Sequence, residues 1–173
     1  MKIKKLLLCL MALSVVIFSS CGDEPEPVNY ADDFVGEYIF SVTPSIVSYE
    51  YGSMVNEYDG LLCKITENYR NNVSISIYQG SSLVYMADGT CDVNGMRLDE
   101  SEFGFSLQEY VEGVLVTLEG KSELGAVYVD NPIGGTLSWV APITSANIEF
   151  VIENITVDGG NVTGSVAFKG ERI

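Results

Sequence analysis

The stretch Thr90-Cys91-Asp92-Val93-Asn94-Gly95-Met96-Arg97-Leu98-Asp99 predicts a β-hairpin, and with it the class of the whole chain. Asn-Gly supplies the positive φ angles of a type I′ turn, whose twist matches that of the flanking strands. With Asn94 and Gly95 in the loop, Val93 faces Met96 and Cys91 faces Leu98 on one side, while Asp92 faces Arg97 on the other. Just upstream, Val73-Ser74-Ile75-Ser76-Ile77 alternates with period two. That pattern belongs to an antiparallel sheet buried on one face and wet on the other.

Further strands follow outward in both directions. Val35 to Thr43 alternates, with Tyr38, Phe40 and Val42 on one face and Glu37 and Ser41 on the other. Pro44 interrupts it, and Ile46 to Tyr51 resumes an extended pattern. Leu61 to Glu67, Leu83 to Ala87, Val114 to Glu119, Ala126 to Val129 and Thr136 to Val140 are short apolar-rich runs bounded by turn residues. Glu102 to Tyr110 stays open between a strand built on Phe103, Phe105 and Leu107 and one helical turn over Leu107 to Glu112. Asn147 to Val157 alternates again, and Asp158-Gly159-Gly160-Asn161 turns it into Val162 to Lys169. Asp88-Gly89 is likewise read as a turn. Eight to ten short strands joined by turn chemistry, with no amphipathic helix, predict an all-β fold. An antiparallel β-barrel is expected, with a two-sheet β-sandwich as the alternative. Trp139 is expected in its core.

The start of the chain is of another kind. Lys2, Lys4 and Lys5 precede an apolar run from Leu6 to Phe18, closed by Ser19 and Ser20 and followed by Cys21. A basic segment, a short apolar run and small residues describe a secretory signal over residues 1–20. The run is too short to span a bilayer, which takes about 20 residues. Ser19-Ser20-Cys21 resembles a bacterial lipobox, which implies that Cys21 is acylated and becomes the mature N-terminus. Residues 21–33 read as an acidic, proline-containing tether, and its first part, Asp23-Glu24-Pro25-Glu26-Pro27, is similar to the segments after the cysteine in Bacteroides-type lipoproteins. A single domain is expected over 34–173.

Composition bounds the chemistry. The chain carries a net charge of −15, which becomes −18 once Lys2, Lys4 and Lys5 leave with the leader. So acidic a surface repels nucleic acid and anionic headgroups. With no histidine anywhere, Ser-His-Asp and Cys-His catalysis and histidine-bearing metal sites are excluded. No phosphate-cradling glycine loop is present, and the Asp-Gly segments lack the alternating oxygens of a calcium loop. No enzyme, metal or cofactor is expected. Cys63 and Cys91 lie on the apolar sides of strands. They bridge only if those strands are neighbours, and two buried free thiols are the preferred reading. Tyr49, Tyr51, Tyr58 and Tyr78 sit on polar faces or near turns and are the candidate ligand-binding residues.

Gly36-Glu37-Tyr38 near the start, a succession of hairpin strands and a terminal strand ending Phe168-Lys169-Gly170 resemble the calycin-like (lipocalin-like) barrel lipoproteins of Bacteroides-type bacteria. Tyr38 stands where lipocalins carry tryptophan in Gly-x-Trp, and no C-terminal helix follows. The resemblance implies a barrel whose mouth holds a small apolar ligand, anchored to the outer membrane and presented at the cell surface. A non-catalytic envelope lipoprotein binding a small apolar or glycan ligand is therefore the expected function. The alternative is an interaction lipoprotein that docks a larger envelope complex.

Overall fold

The computed structural model describes residues 27–48, 52–152, 155–158 and 162–173. These residues form a short 3-10 helix, η1 (Tyr30–Asp33), followed by twelve strands. In chain order they are β1 (Gly36–Ser48), β2 (Gly52–Val55), β3 (Tyr58–Tyr69), β4 (Asn72–Gln79), β5 (Ser82–Asp92) and β6 (Gly95–Leu98). Then come β7 (Ser101–Val111), β8 (Val114–Leu124), β9 (Val127–Asp130), β10 (Thr136–Ile152), β11 (Ile155–Asp158) and β12 (Val162–Arg172).

Pairing registers reduce the twelve strands to eight staves. β2 and β3 are successive lengths of one stave, because Ser45 pairs with Val55 and Val42 with Tyr58 in the same register along β1. The pairs Leu98 with Val127 and Ser101 with Leu124 make β6–β7 and β8–β9 one long hairpin. Ile152 with Ile155 and Pro142 with Ser165 join β11 to β12 against β10. The staves follow one another up and down, and β1 closes the ring on β12 from Tyr38–Arg172 to Ser48–Val162. The fold is a closed, antiparallel, eight-stranded β-barrel of lipocalin-like architecture, not a sandwich. Closure leaves every stave paired on both sides over much of its length, which removes the open sheet edge.

Several local expectations are corrected. The loop of the β5–β6 hairpin is Val93-Asn94, not Asn94-Gly95: Cys91 pairs with Met96 and Asp92 with Gly95. Neither loop residue has positive φ. The Asp92 carboxylate instead accepts from the amides of Asn94 (2.7 Å) and Gly95 (3.2 Å) and builds the turn itself. Gly95 is needed because a Cβ there would collide with the Val129 carbonyl of β9. Val93 is consequently exposed rather than facing Met96. Among the described residues, two successive positive φ angles occur instead at Glu112-Gly113, between β7 and β8, and at Gly134-Gly135, between β9 and β10.

Pro44 does not interrupt β1. It sits where that strand's edge passes from β3 to β2, and its carbonyl accepts from the Asn56 amide at 3.2 Å. Asp88-Gly89 lies inside β5, not in a turn. Residues 102–110 are strand throughout, which excludes the helical turn. Thr136–Ile152 is one strand with a register shift between Ile143 and Ser145. Before the shift Leu137, Trp139 and Ala141 are buried; after it Ala146 pairs with buried Ser122 and Ile152 with buried Val116. The positions in phase with the interior thus pass from odd to even, as a bulge requires. β11 already pairs back on β10, from Ile152–Ile155 to Glu149–Asp158, and residues 159–161 of the expected turn lie outside the described residues.

Aromatic side chains fill the interior. Trp139 and Phe168 stack with centroids 4.7 Å apart, Phe40 lies 5.4 Å from Trp139, and Tyr85 lies 4.8 Å from Phe168. Each fully buried ring contributes on the order of 2 kcal/mol by leaving water, and the contacting pairs add about 1 kcal/mol each. Gly170 opposite Phe40 makes room for that ring, which a Cβ would strike.

η1 plugs the end where the chain enters. Ala31 and Phe34 are wholly buried, and Asn71 in the β3–β4 turn accepts from the Tyr30 amide at 2.7 Å. η1 occupies the last four positions of the stretch read as tether.

Candidate functional site

One hairpin is too short for the barrel. β4 and β5 join at Gln79–Ser82, whereas β2–β3 and β7 on either side run on past that tip. β7 pairs with β5 only at Phe103 and Glu102, and the two strands splay apart from Val84 and Gly104 onward. The wall therefore has a wedge-shaped opening beside the hairpin tip, which points away from η1.

A cleft of about 240 Å³ occupies this opening. The buried side chains of Leu61, Phe103 and Phe105 and the half-buried Val84 give it an apolar lining. Gln79 comes from the hairpin tip, and Gly104 contributes bare backbone, with open space where a Cβ would stand. Tyr58 and Ser106 complete it. The Tyr58 hydroxyl donates to the Ser106 carbonyl at 2.5 Å and accepts from the Ser106 amide at 3.0 Å. Asn56 Nδ2 donates to the same carbonyl at 3.3 Å. These bonds satisfy β7 backbone groups that no strand reaches, and they leave the cleft without a free polar group from Tyr58.

Val84 and Gly104 also border a shallower depression outside the wall, with Leu83, Met86, Glu102 and Lys121. Leu83 and Met86 are more than half exposed there. Lys121 Nζ pairs with Glu102 Oε1 at 2.8 Å. Glu119 stands next along β8 and accepts from Ser106 Oγ at 3.5 Å.

Of the tyrosines expected at a site, Tyr58 is the one among the described residues that lines the cleft. Tyr78 is half-buried on β4, paired with Leu62, and does not line it. Tyr49 and Tyr51 lie outside the described residues, as does Cys21. The cleft residues that sequence reasoning missed carried one signal, the lone glycine in Phe103-Gly104-Phe105, which marks a place where a strand lacks a packing side chain.

Cys63 and Cys91 are free and buried. Their strands flank β4 rather than pair. Cys63 lies level with Ile77 and Tyr85, six positions before Cys91. That offset is about 20 Å along the strand, far beyond the Cα limit of about 7 Å for a bridge. Burial pushes the Cys63 thiol up to about 12 and the Cys91 thiol up to about 11. Among the described residues no cluster of three or more acidic or cysteine side chains is arranged to hold a metal, and no helix is long and apolar enough to cross a membrane.

No protein-family model matches the chain, and no curated protein matches it. The fold and the site define it as a lipocalin-like barrel with a plugged end, an aromatic-filled interior and an apolar cleft through its wall.

Proposed function

We propose that this is a non-catalytic, lipid-anchored lipoprotein of the outer membrane, exposed at the cell surface, that binds a small apolar group in the wall cleft. The observation that carries the reading is the cleft itself: apolar side chains line it, and the Tyr58 hydroxyl and the Ser106 backbone within it already satisfy each other. Water gains little by occupying such a surface, so an apolar group displaces it at low cost. The interior supports a binding site in the wall, not a lipocalin-style central chamber, because rings occupy the axis. The Ser19-Ser20-Cys21 pattern supports the anchor, and the chain enters at the plugged end while the hairpin tip beside the cleft points the other way.

Docking of a protein partner is the second reading. Two observations favour it: the cleft is smaller than the roughly 300–1,000 Å³ of small-molecule sites, and Leu83 and Met86 extend the apolar surface outward. Native mass spectrometry of protein purified from its own host separates the two. A reproducible small-molecule adduct, lost in Gly104→Leu, supports the ligand reading. A stable protein partner with no adduct overturns it. Cys21→Ala tests the anchor by its release from the membrane fraction, and unmodified mature protein beginning beyond Cys21 would sink that part.

A further inference from the structure

We infer that the ligand is a small organic ammonium ion: a primary or quaternary amine on a compact apolar body. The inference rests on reading the wall cleft as a ligand site and names the class of its occupant. Two features of the cleft point to a cation. The first is the lining: three of its residues are aromatic, Tyr58, Phe103 and Phe105, with the two phenylalanine rings stacked 6.3 Å apart at 20°. The faces of such rings carry negative charge density and attract an ammonium group once it is partly desolvated.

The second is the charge at the mouth. Ser106 lines the cleft, and Glu119 lies opposite it in the register, bonded to its hydroxyl. Glu119 forms no ion pair among the described residues. The neighbouring cation, Lys121, is held by Glu102 and is neutralised there. The mouth therefore presents one uncompensated carboxylate next to an aromatic-lined recess, within a chain whose net charge is −15. An apolar body seated against Phe103 and Phe105 brings an attached ammonium to the Ser106–Glu119 side of the opening. A carboxylate ligand of the same shape would be repelled. Gly104, opposite Lys121, provides the clearance.

The test uses the full chain, purified from its own membrane and held in nanodiscs, titrated by NMR with three probes of one shape. Phenethylamine, phenethyl alcohol and phenylacetate differ in the charge of one group. The expected order is amine over alcohol by about fivefold at low salt, with the acid weakest and the amine preference shrinking as salt rises. Glu119→Gln, at an exposed position, should bring the amine close to the alcohol. Gly104→Leu should abolish both. Equal binding of amine and alcohol to the native protein overturns the ammonium assignment and leaves the cleft a neutral apolar site. Amine binding that survives both substitutions overturns it as well, because the cation is then held by the acidic surface at large. If none of the probes binds, both the assignment and the ligand reading fall.

Discussion

Tyr58 of β3 holds both backbone polar groups of Ser106 in β7, donating to its carbonyl and accepting from its amide across a gap that no strand fills. One phenol thus does the work of a missing pair of ladder bonds. Tyr58→Phe removes the donor and the acceptor together, taking the Ser106 amide's partner away and leaving its carbonyl to the longer bond from Asn56 Nδ2. A loss of about 1–3 kcal/mol is expected, as for a part-buried amide left without its acceptor. Urea unfolding measures it, and faster hydrogen exchange at the Ser106 amide than at the Phe103 amide localises it. An unchanged exchange rate at Ser106 would show that the bond does not close the gap.

Arg172, the last residue of β12, closes the other end. Its guanidinium lies 5.3 Å from the centre of the Tyr38 ring, and Nη2 donates to the Tyr38 hydroxyl at 2.8 Å and to the Asp33 carbonyl at 2.6 Å. Tyr38 in turn donates to the Phe34 carbonyl at 2.7 Å. The fork fastens η1 to both the first and the last strand. A lysine keeps the charge but cannot reproduce the planar fork. Arg172→Lys should cost about 1–3 kcal/mol and selectively speed exchange at the Phe34 and Val35 amides, which bond to Ala31. Uniform loss of protection over the whole barrel would instead mark Arg172 as part of the global core.

The class of fold was legible in the sequence because period two survives wherever one face is buried, as in Val73 to Ile77. The number of staves was not. A bulge such as the one at Ile143–Ser145 changes the phase of the alternation, and the eye divides one strand into two. The turn at Val93-Asn94 was misplaced by one residue for a related reason. Asn-Gly is a strong local signal, but Gly95 is fixed by the approach of Val129 from β9, a strand far along the chain. The cleft was illegible except at Gly104, since it arises from a difference in length between β4–β5 and its neighbours. That difference is a relation among strands, and no single strand carries it.

The two barrel cysteines should be inert in the folded state. Alkylation needs the thiolate, and with thiols pushed up to about 12 and about 11 the thiolate fraction at pH 8 is roughly one in ten thousand and one in a thousand. Iodoacetamide at that pH should label Cys63 and Cys91 only after unfolding, Cys63 being the slower under native conditions. Peptide mass analysis reads both positions at once. A crosslinked Cys63–Cys91 peptide under non-reducing conditions would contradict the register that separates them.

Asp92 makes the β5–β6 turn sensitive to acid. The Asn94 amide, then the Tyr128 hydroxyl at 2.8 Å, hold its carboxyl below the ordinary carboxylate value. A group whose folded value is depressed contributes stability that is complete above its unfolded value, about 3.9, and that disappears as pH falls through the folded value. The hairpin should therefore be fully supported at pH 5 and should lose this support below about pH 4. Carboxyl NMR should place the Asp92 midpoint under the free-peptide value. Asp92→Asn should be less stable than the native protein at pH 7, yet the difference between them should narrow toward pH 2, because the native side chain then accepts as a neutral acid. If the two stability profiles stay parallel across that range, the carboxylate charge is not what holds the turn, and the packing of Gly95 against Val129 is left as its cause.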